Sequence, residues 1–268
     1  MITVLTGASA GIGAAVALEL AKREHQLVLV GRTPARLAAV ADQVAAATGT
    51  APGTFQADFA VLDDVRRLAD ELLARYERID VLVNNAGVMT TRRERTADGH
   101  ELMMQVNHLA PFLLTNLLFD RLKESSARVV TTSSRAARTG RLDPADLSRD
   151  RRRWSGWLQY GDTKQANALF TVALADRGLA ATCLHPGVLN TGFAAGTFFM
   201  KFLTVVPGMS EPPEAGADRI VHLVTHADGV GHPGRFFVKN VPATVPRTMT
   251  DPRLAEALWS ASQTACSL

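Results

Sequence analysis

Residues 2–20 read ITVLTGASAGIGAAVALEL, which is a short β-branched apolar run, a glycine-rich turn and an apolar helix-like stretch. This order predicts a phosphate-binding site, because glycines permit a tight turn and close approach of the backbone to a pyrophosphate. The N–H groups and the positive dipole end of the following helix then face the phosphates. The glycine spacing is Gly-x-x-x-Gly-x-Gly. The residues of this turn predicted to bind a cofactor are Gly7, Ser9, Gly11, Ile12 and Gly13.

The rest of the chain continues the alternation of short apolar runs and longer helix-like stretches. Such alternation predicts an α/β fold, a Rossmann-type doubly wound parallel sheet with helices on both faces. The predicted strands are residues 2–6, 26–31, 54–57, 81–84, 128–133, 181–185 and 235–238. The predicted helices are residues 11–24, 34–48, 61–77, 101–123, 160–177, 214–226 and 251–262. With no repeat or linker in the sequence, residues 1–268 are predicted to form a single domain, with a substrate-lid segment at about residues 189–213.

Composition and charge are typical of a soluble globular protein and do not indicate a nucleic-acid-binding protein. A hydrophobic content of 47% and a charged content of 21% are ordinary for a soluble globular protein. The net charge of +3 is too small to indicate a nucleic-acid partner. The local arginine cluster at Arg149, Arg151, Arg152 and Arg153 is predicted to be a solvated loop.

Cysteine usage and the apolar segments indicate a cytoplasmic location. Only Cys183 and Cys266 are present, so a disulfide framework is not expected. The chain opens directly on a strand-like run rather than on a signal segment. The longest apolar stretch, residues 193–206, is interrupted by Gly196 and Lys201 and is shorter than the roughly 20 residues that span a bilayer. No transmembrane segment is therefore expected, and whether residues 193–206 touch a membrane surface is left open.

The end of the second strand indicates which dinucleotide is bound. A carboxylate at this point would bind the ribose 2′-hydroxyl of NAD, but the sequence reads Gly31-Arg32. The planar guanidinium of Arg32 is suited to a 2′-phosphate, which favours NADP(H). Arg36, one turn into the next helix, is expected to be simply exposed.

Tyr160 and Lys164 stand four residues apart and are expected on the same face of a helix. An ammonium beside a phenol favours the phenolate, so the pKa of the tyrosine is predicted to fall from about 10 towards neutral pH. A phenol tuned in this way exchanges a proton during alcohol–ketone chemistry. By itself the pair is weak evidence, since any amphipathic helix can carry it.

Together with Asn84-Asn85-Ala86-Gly87 and His185-Pro186-Gly187, these residues make the chain resemble a short-chain dehydrogenase/reductase. The resemblance is strongest to the retinol-dehydrogenase-like branch and covers nearly the whole sequence. It implies an enzyme that transfers hydride between a nicotinamide cofactor and a small-molecule carbonyl or alcohol, and Arg32 favours NADP(H) as that cofactor. Residues of the predicted lid favour an apolar substrate; they are Phe193, Phe198, Phe199, Met200, Phe202 and Leu203. Partners implied by the resemblance are a homodimer or homotetramer through helices 101–123 and 160–177.

The resemblance also implies a role for individual residues. Tyr160 would be the general acid or base, Lys164 would lower its pKa and bind the nicotinamide ribose, and Ser134 would hydrogen-bond the substrate oxygen. Asn107 would join a proton relay with Lys164 through water. Thr163 stands where the family usually has serine, and it keeps the hydroxyl. The remaining residues expected to contact the cofactor are Asp58, Asn85, Ala86, Gly87, Pro186, Gly187 and Thr191.

Three other interpretations stay open or are set aside. A non-catalytic NADP(H)-sensing regulator on the same fold remains an alternative, although both Tyr160 and Lys164 are retained. A sugar-nucleotide epimerase would need a larger C-terminal domain than the chain leaves after Pro186. The histidines, among them His222, His226 and His232, are judged to lack metal-binding spacing, so no metal site is predicted.

Overall fold

The computed structural model describes residues 1–187 and 211–268. Their strands form one sheet of eight strands in the order β3-β2-β1-β4-β5-β6-β7-β8. All neighbouring strands are parallel except the last pair, β7 and β8, which is antiparallel. The strands are β1 Ile2–Thr6, β2 Gln26–Gly31, β3 Gly53–Gln56, β4 Val81–Asn84, β5 Arg128–Thr132, β6 Ala180–His185, β7 Phe236–Val238 and β8 Val241–Pro242.

The helices connect these strands and begin and end where local chemistry predicts. Proline lies in the first turn of α2, α8 and α10, where its missing N–H costs nothing. Gly49, with φ of 74°, ends α2 in the left-handed conformation. The α-helices of the described residues are α1 Gly11–Ala21, α2 Pro34–Thr48, α3 Leu62–Arg75, α4 Leu102–Met104, α5 Ala110–Leu117, α6 Phe119–Glu124, α7 Gly156–Asp176, α8 Pro213–Thr225, α9 Asp228–Gly231 and α10 Pro252–Cys266.

The two faces of the sheet are covered by different helices. Val4 belongs to the core cluster that contains residues of α3, α5, α7 and α10. Its neighbour Leu5 belongs to the cluster formed with α1, α2 and α8. Successive residues of a strand point to opposite faces, so apolar residues in sequence serve both layers. The predicted doubly wound α/β fold with helices on both faces is confirmed.

The predicted continuous helix over residues 101–123 is wrong in detail. The segment is divided into α4, a π-helical turn Gln105–Leu109, α5 and α6. Pro111 has no N–H to donate to the carbonyl of Asn107, four residues earlier, so regular α-helical bonding cannot pass this point. This proline was the available sequence signal.

The arginine cluster is a second correction. Arg149 is buried, with its guanidinium 2.8 and 3.0 Å from the two carboxylate oxygens of Asp162 on α7. Arg152 pairs with Asp146 at 2.9 Å. Arg151 and Arg153 are exposed, as predicted for a solvated loop. Arg149 therefore holds the segment before α7 against that helix, because a buried guanidinium needs a carboxylate partner.

Across the described ranges 1–187 and 211–268, no helix is both long and apolar enough to cross a bilayer. Cys183 and Cys266 are both buried and unpaired with each other. Most of the predicted lid segment lies outside the described residues.

Candidate active site

The carboxyl ends of the parallel strands place the predicted site residues along one edge of the sheet. The glycine turn follows β1, Arg32 follows β2 and Asp58 lies two residues after β3. Asn85–Gly87 follow β4, Ser134 follows β5 and Pro186 follows β6. Loops at this edge of a doubly wound sheet form the ligand crevice. Residues separated by up to 180 positions in sequence are thus brought to this edge of the sheet, which forms the rim of the crevice.

The glycine turn has the geometry of a phosphate cradle. Gly7 and Gly11 have φ values of 68° and 54°, a region that disfavours side chains. A Cβ on Gly13 would lie 2.1 Å from the carbonyl oxygen of Gly7, so only glycine allows α1 to pack this closely. Ala10 precedes α1 and provides no side-chain cap. The first N–H groups of α1 are therefore available for an anion, and the turn fits a dinucleotide.

Ser9 and Arg32 are neighbours at the ends of β1 and β2. A Cβ placed on Gly31 would lie 3.3 Å from the hydroxyl oxygen of Ser9. Arg32 is exposed, and among the described residues its guanidinium has no hydrogen-bond or ion-pair partner. Arg36 is also exposed, as expected. A hydroxyl and a guanidinium at one rim can bind a phosphate group together.

Asp58 and the Asn85–Gly87 turn are held by the backbone. The carboxylate of Asp58 accepts a hydrogen bond from the N–H of Ala60 at 3.0 Å. The amide of Asn85 donates to the carbonyl of Thr6 at 3.2 Å and accepts from the hydroxyl of Thr132 at 3.3 Å. Asn85 therefore joins the ends of β1, β4 and β5. This role fixes the crevice, and Ala86 lies directly beside Gly7 of the glycine turn.

Ser134, Tyr160 and Lys164 meet at the end of β5. Ser155 caps α7 by accepting from the N–H of Leu158, which starts the helix one turn before Tyr160. The Lys164 ammonium lies 5.6 Å from the centroid of the Tyr160 ring and donates to the carbonyl of Thr132 at 3.2 Å. The hydroxyl of Ser134 hydrogen-bonds the phenol of Tyr160. Ser133, by contrast, donates to the carbonyl of Lys164 at 2.6 Å and is buried, which leaves Ser134 as the hydroxyl of the site.

Burial controls the protonation of both groups. Desolvation raises the pKa of Tyr160 to about 12, although the hydrogen bond with Ser134 acts in the opposite direction. Desolvation also lowers the pKa of Lys164 to about 8. Both shifts favour the neutral form, as expected when charges leave water. The prediction that Lys164 lowers the pKa of Tyr160 towards neutral pH is therefore wrong for the chain by itself.

Asn107 lies in the π-helical turn and connects to α7 through Thr163. Its amide donates to the hydroxyl of Thr163 at 3.1 Å and to the carbonyl of Val88 at 3.0 Å, and its oxygen accepts from the N–H of Val88 at 2.7 Å. Thr163 in turn donates to the carbonyl of Tyr160 at 2.9 Å. The Asn107 side chain therefore positions the Tyr160 turn, and its predicted part in a proton relay stays a prediction. Thr163 is a positioning residue whose hydroxyl was the sequence signal.

The end of β6 completes the rim. Gly187 has φ of 111°, and the carbonyl of Pro186 accepts a hydrogen bond from Arg219 on α8. Thr191, the remaining residue expected to contact the cofactor, lies outside the described residues. The indole of Trp157, 46% exposed, lies with its centroid 6.4 Å from that of Tyr160. It gives the site an apolar wall.

The prediction that the histidines form no metal site stays a prediction. His222 and His226, four residues apart, converge with Asp228 so that one donor atom of each lies within 4.8 Å of the others. Asp228 belongs to the next short helix, α9, so the spacing of residues on one element did not indicate this grouping.

Comparisons with known proteins agree with this geometry. The family described as short chain dehydrogenase matches residues 1–199. A Streptomyces sp. (strain C5) protein that bears the name daunorubicin C-13 ketoreductase is 40% identical, over 98% of this chain and 91% of its own length. Human retinol dehydrogenase 13 is 33% identical, over 97% of this chain and 82% of its own length. A Shigella flexneri short-chain dehydrogenase solved in complex with NADP has a TM-score of 0.72 and 27% identity, covering 90% of this chain and 97% of that chain.

Proposed function

This chain is an oxidoreductase of the short-chain dehydrogenase/reductase family, in its retinol-dehydrogenase-like branch, and we propose that it uses NADP(H) to interconvert an apolar carbonyl compound and its alcohol. The observation that carries the proposal is the meeting of Ser134, Tyr160 and Lys164 beside a glycine turn that fits a dinucleotide. Neither feature alone specifies this chemistry.

In the proposed mechanism the bound dinucleotide supplies or accepts the hydride. Tyr160 gives a proton to the substrate oxygen in reduction and removes it in oxidation. A phenol with a pKa of about 12 holds its proton at neutral pH, which suits the acid role. The hydroxyl of Ser134 donates to the oxygen on which charge develops and so stabilises the transition state. Lys164, held by the Thr132 carbonyl, supplies positive charge and ribose contacts.

The residues that would hold the cofactor support NADP(H) over NAD(H). The turn from Gly7 to Gly13 would bind the pyrophosphate, and Arg32 with Ser9 would bind the 2′-phosphate. Asp58 and the Asn85–Gly87 turn would line the adenosine region. Two structural neighbours from enteric bacteria are described as complexed with NADP or NADPH, which agrees with this choice.

The proposed substrate is an apolar ketone or aldehyde. The exposed Trp157 beside Tyr160 would contact an apolar or aromatic ring. The streptomycete relative is named for reduction of a ketone, at C-13 of daunorubicin. The lid residues predicted to favour such a compound lie outside the described residues; they are Phe193, Phe198, Phe199, Met200, Phe202 and Leu203. The cytoplasmic location also remains a prediction.

The test is a panel of aromatic and polycyclic ketones and aldehydes, with turnover followed as loss of NADPH absorbance. We expect Tyr160→Phe to bind NADPH normally and to lose turnover by about a hundredfold or more, since one positioned proton donor contributes about 10²–10⁴-fold. Tyr76→Phe is the matched control, because Tyr76 is the only other tyrosine and lies at the end of α3.

Two outcomes would contradict the proposal. Near-normal turnover by Tyr160→Phe would remove the phenol from the mechanism. Tight NADPH binding without turnover of any carbonyl compound would favour the non-catalytic NADP(H)-sensing regulator.

A further inference from the structure

Three histidines and one carboxylate converge where α8 ends and α9 begins. Oδ2 of Asp228 lies 2.8 Å from Nε2 of His222 and 3.0 Å from Nδ1 of His226. Nε2 of His232 lies 3.7 Å from the other carboxylate oxygen of Asp228. The rings of His222 and His226 are stacked, with centroids 4.6 Å apart. The donor atoms of three potential metal ligands, His222, His226 and Asp228, thus lie within 4.8 Å of one another, and His232 lies beside them.

Their spacing suits a tetrahedral ion. Zinc binds histidine nitrogen and carboxylate oxygen at about 2.0–2.2 Å, so the donor atoms of a tetrahedral site lie about 3.3 Å apart. Nε2 of His222 and Nδ1 of His226 lie 2.8 and 3.0 Å from the same oxygen of Asp228, close to this value, and His232 lies 3.7 Å from the other oxygen. The four side chains are partly exposed, by 23% for His222, 57% for His226, 27% for Asp228 and 45% for His232. An ion can therefore enter from solvent.

The geometry at His226 leaves one of its ring nitrogens able to act as a ligand. The backbone N–H of Asp228 donates to Nδ1 of His226 at 3.2 Å, which requires this nitrogen to be unprotonated. The same nitrogen lies 3.0 Å from Oδ2 of Asp228. The single lone pair of this nitrogen can either accept the N–H bond or bind an ion, and an ion bound here would also meet the carboxylate oxygen of Asp228.

We propose that His222, His226 and Asp228 bind a Zn²⁺ ion, with His232 as the fourth ligand. Imidazole and carboxylate ligands without a thiol suit zinc among the common divalent ions, and the hard cations Mg²⁺ and Ca²⁺ prefer sites made only of oxygen. Asp228 is the one carboxylate among the proposed ligands. Arg128 is the opposing charge, since it donates to the backbone carbonyl of His226 at 2.7 Å.

The position of the site assigns it a structural role. Arg128 opens β5, so the cluster lies at the amino ends of the strands, opposite the edge that carries Ser134 and Tyr160. A bound ion would join the last turn of α8, the four-residue helix α9 and the approach to β7. Zinc should therefore stabilise the fold without entering the reaction, and this inference does not depend on the proposed function.

The test is calorimetric titration of the chelator-treated full-length chain with ZnCl₂ at neutral pH, together with thermal unfolding. We expect one Zn²⁺ per chain and, at about a hundred times the dissociation constant, a rise in Tm of roughly 5–10 °C. His226→Gln and Asp228→Asn should each weaken zinc binding by about a hundredfold. Loss of a group that only orients a metal ligand already lowers metal affinity by about 10–100-fold, and these two residues are proposed ligands themselves. NADPH turnover of the wild type should not respond to zinc.

Two control variants keep the test specific. His100→Gln removes a histidine that instead bonds the carbonyl of Ala265, and Asp218→Asn removes an exposed carboxylate of α8. Both should bind zinc as the wild type does. Failure of the wild type to bind zinc, or equal binding by the His226 and Asp228 variants, would overturn the proposal.

Discussion

At the scale of single residues, the site depends on two groups that burial drives towards neutrality. The pKa of Lys164 falls to about 8 and that of Tyr160 rises to about 12, because desolvation penalises both charges. The pair therefore begins as a protonated phenol beside an ammonium that is close to losing its proton. An acid of this kind is ready for carbonyl reduction, whereas oxidation needs an additional positive charge to form the phenolate.

Arg32 gives a prediction about cofactor choice. Arg32→Asp should raise the KM for NADPH by about 10–100-fold, because a charge-assisted bond to the 2′-phosphate contributes about 1.5–3 kcal/mol. The KM for NADH should change little, since a carboxylate can bind the ribose 2′-hydroxyl. Steady-state kinetics with both dinucleotides measures the change.

Arg36→Asp is the control for this charge reversal. Arg36 is exposed one turn into α2, so its replacement alters the net charge equally without touching the end of β2. If the two variants shift the preference for NADPH alike, or Arg32→Asp leaves it unchanged, the assignment of Arg32 is wrong.

At the scale of elements, α4 begins at a buried carboxyl group. Glu101 caps the helix by accepting from the N–H of Met104 at 2.8 Å, and it is fully buried. Desolvation raises its pKa from 4.5 to about 7. Because the folded state binds this proton more tightly than the unfolded state, the stabilising contribution is complete below pH 4.5. It is lost as the pH rises through about 7.

Glu101→Gln should remove this dependence on pH. From about pH 5 to about pH 8 the wild type should lose about 2–3 kcal/mol of unfolding free energy relative to the variant, at about 1.36 kcal/mol for each pKa unit. Urea denaturation at both pH values measures the difference. Glu94→Gln, at an exposed position before α4, is the control and should follow the wild type. Parallel pH profiles of wild type and Glu101→Gln would contradict the prediction.

The segment before α7 shows how an ion pair organises an element. Arg149 and Asp162 are both buried, and their two short hydrogen bonds satisfy the guanidinium and the carboxylate together. Removing one partner of such a pair leaves an uncompensated buried charge. This contact holds the segment before α7 against the helix that carries both Trp157 and Tyr160.

At the scale of the whole molecule, α10 covers the helices through which the resemblance implied dimerisation. Trp259 packs edge-on against Phe112 of α5 at 4.9 Å, and the guanidinium of Arg177 lies 3.8 Å from the centroid of the indole. His108 in the π-helical turn hydrogen-bonds the hydroxyl of Ser262 at 2.9 Å. Most of α5 and α7 is buried all round, as expected for helices packed on both sides.

We therefore expect a monomer in place of the homodimer or homotetramer implied by the resemblance. Light scattering after size exclusion should give a mass near 28.8 kDa over a wide range of concentration. Trp259→Ala should loosen α10 and raise the mean mass if this helix prevents pairing. A wild-type dimer would contradict the expectation.

The sequence by itself determined the layers, the glycine turn and the chemistry of the rim. Periodicity of apolar residues is a local property, so β1, α1 and the other regular elements could be predicted within a few residues. Gly7, Gly13, Tyr160 and Lys164 were identified because spacing along a strand–turn–helix or a single helix fixes where side chains lie.

Only the tertiary structure decided which residues distant in sequence come into contact. The pairing of Arg149 with Asp162, the cover of α10 over α5 and α7, and the joining of His222 and Asp228 follow from packing that no local pattern encodes. Desolvation is likewise a property of the assembled core, and for this reason the pKa of Tyr160 moved opposite to the direction predicted from its neighbour Lys164.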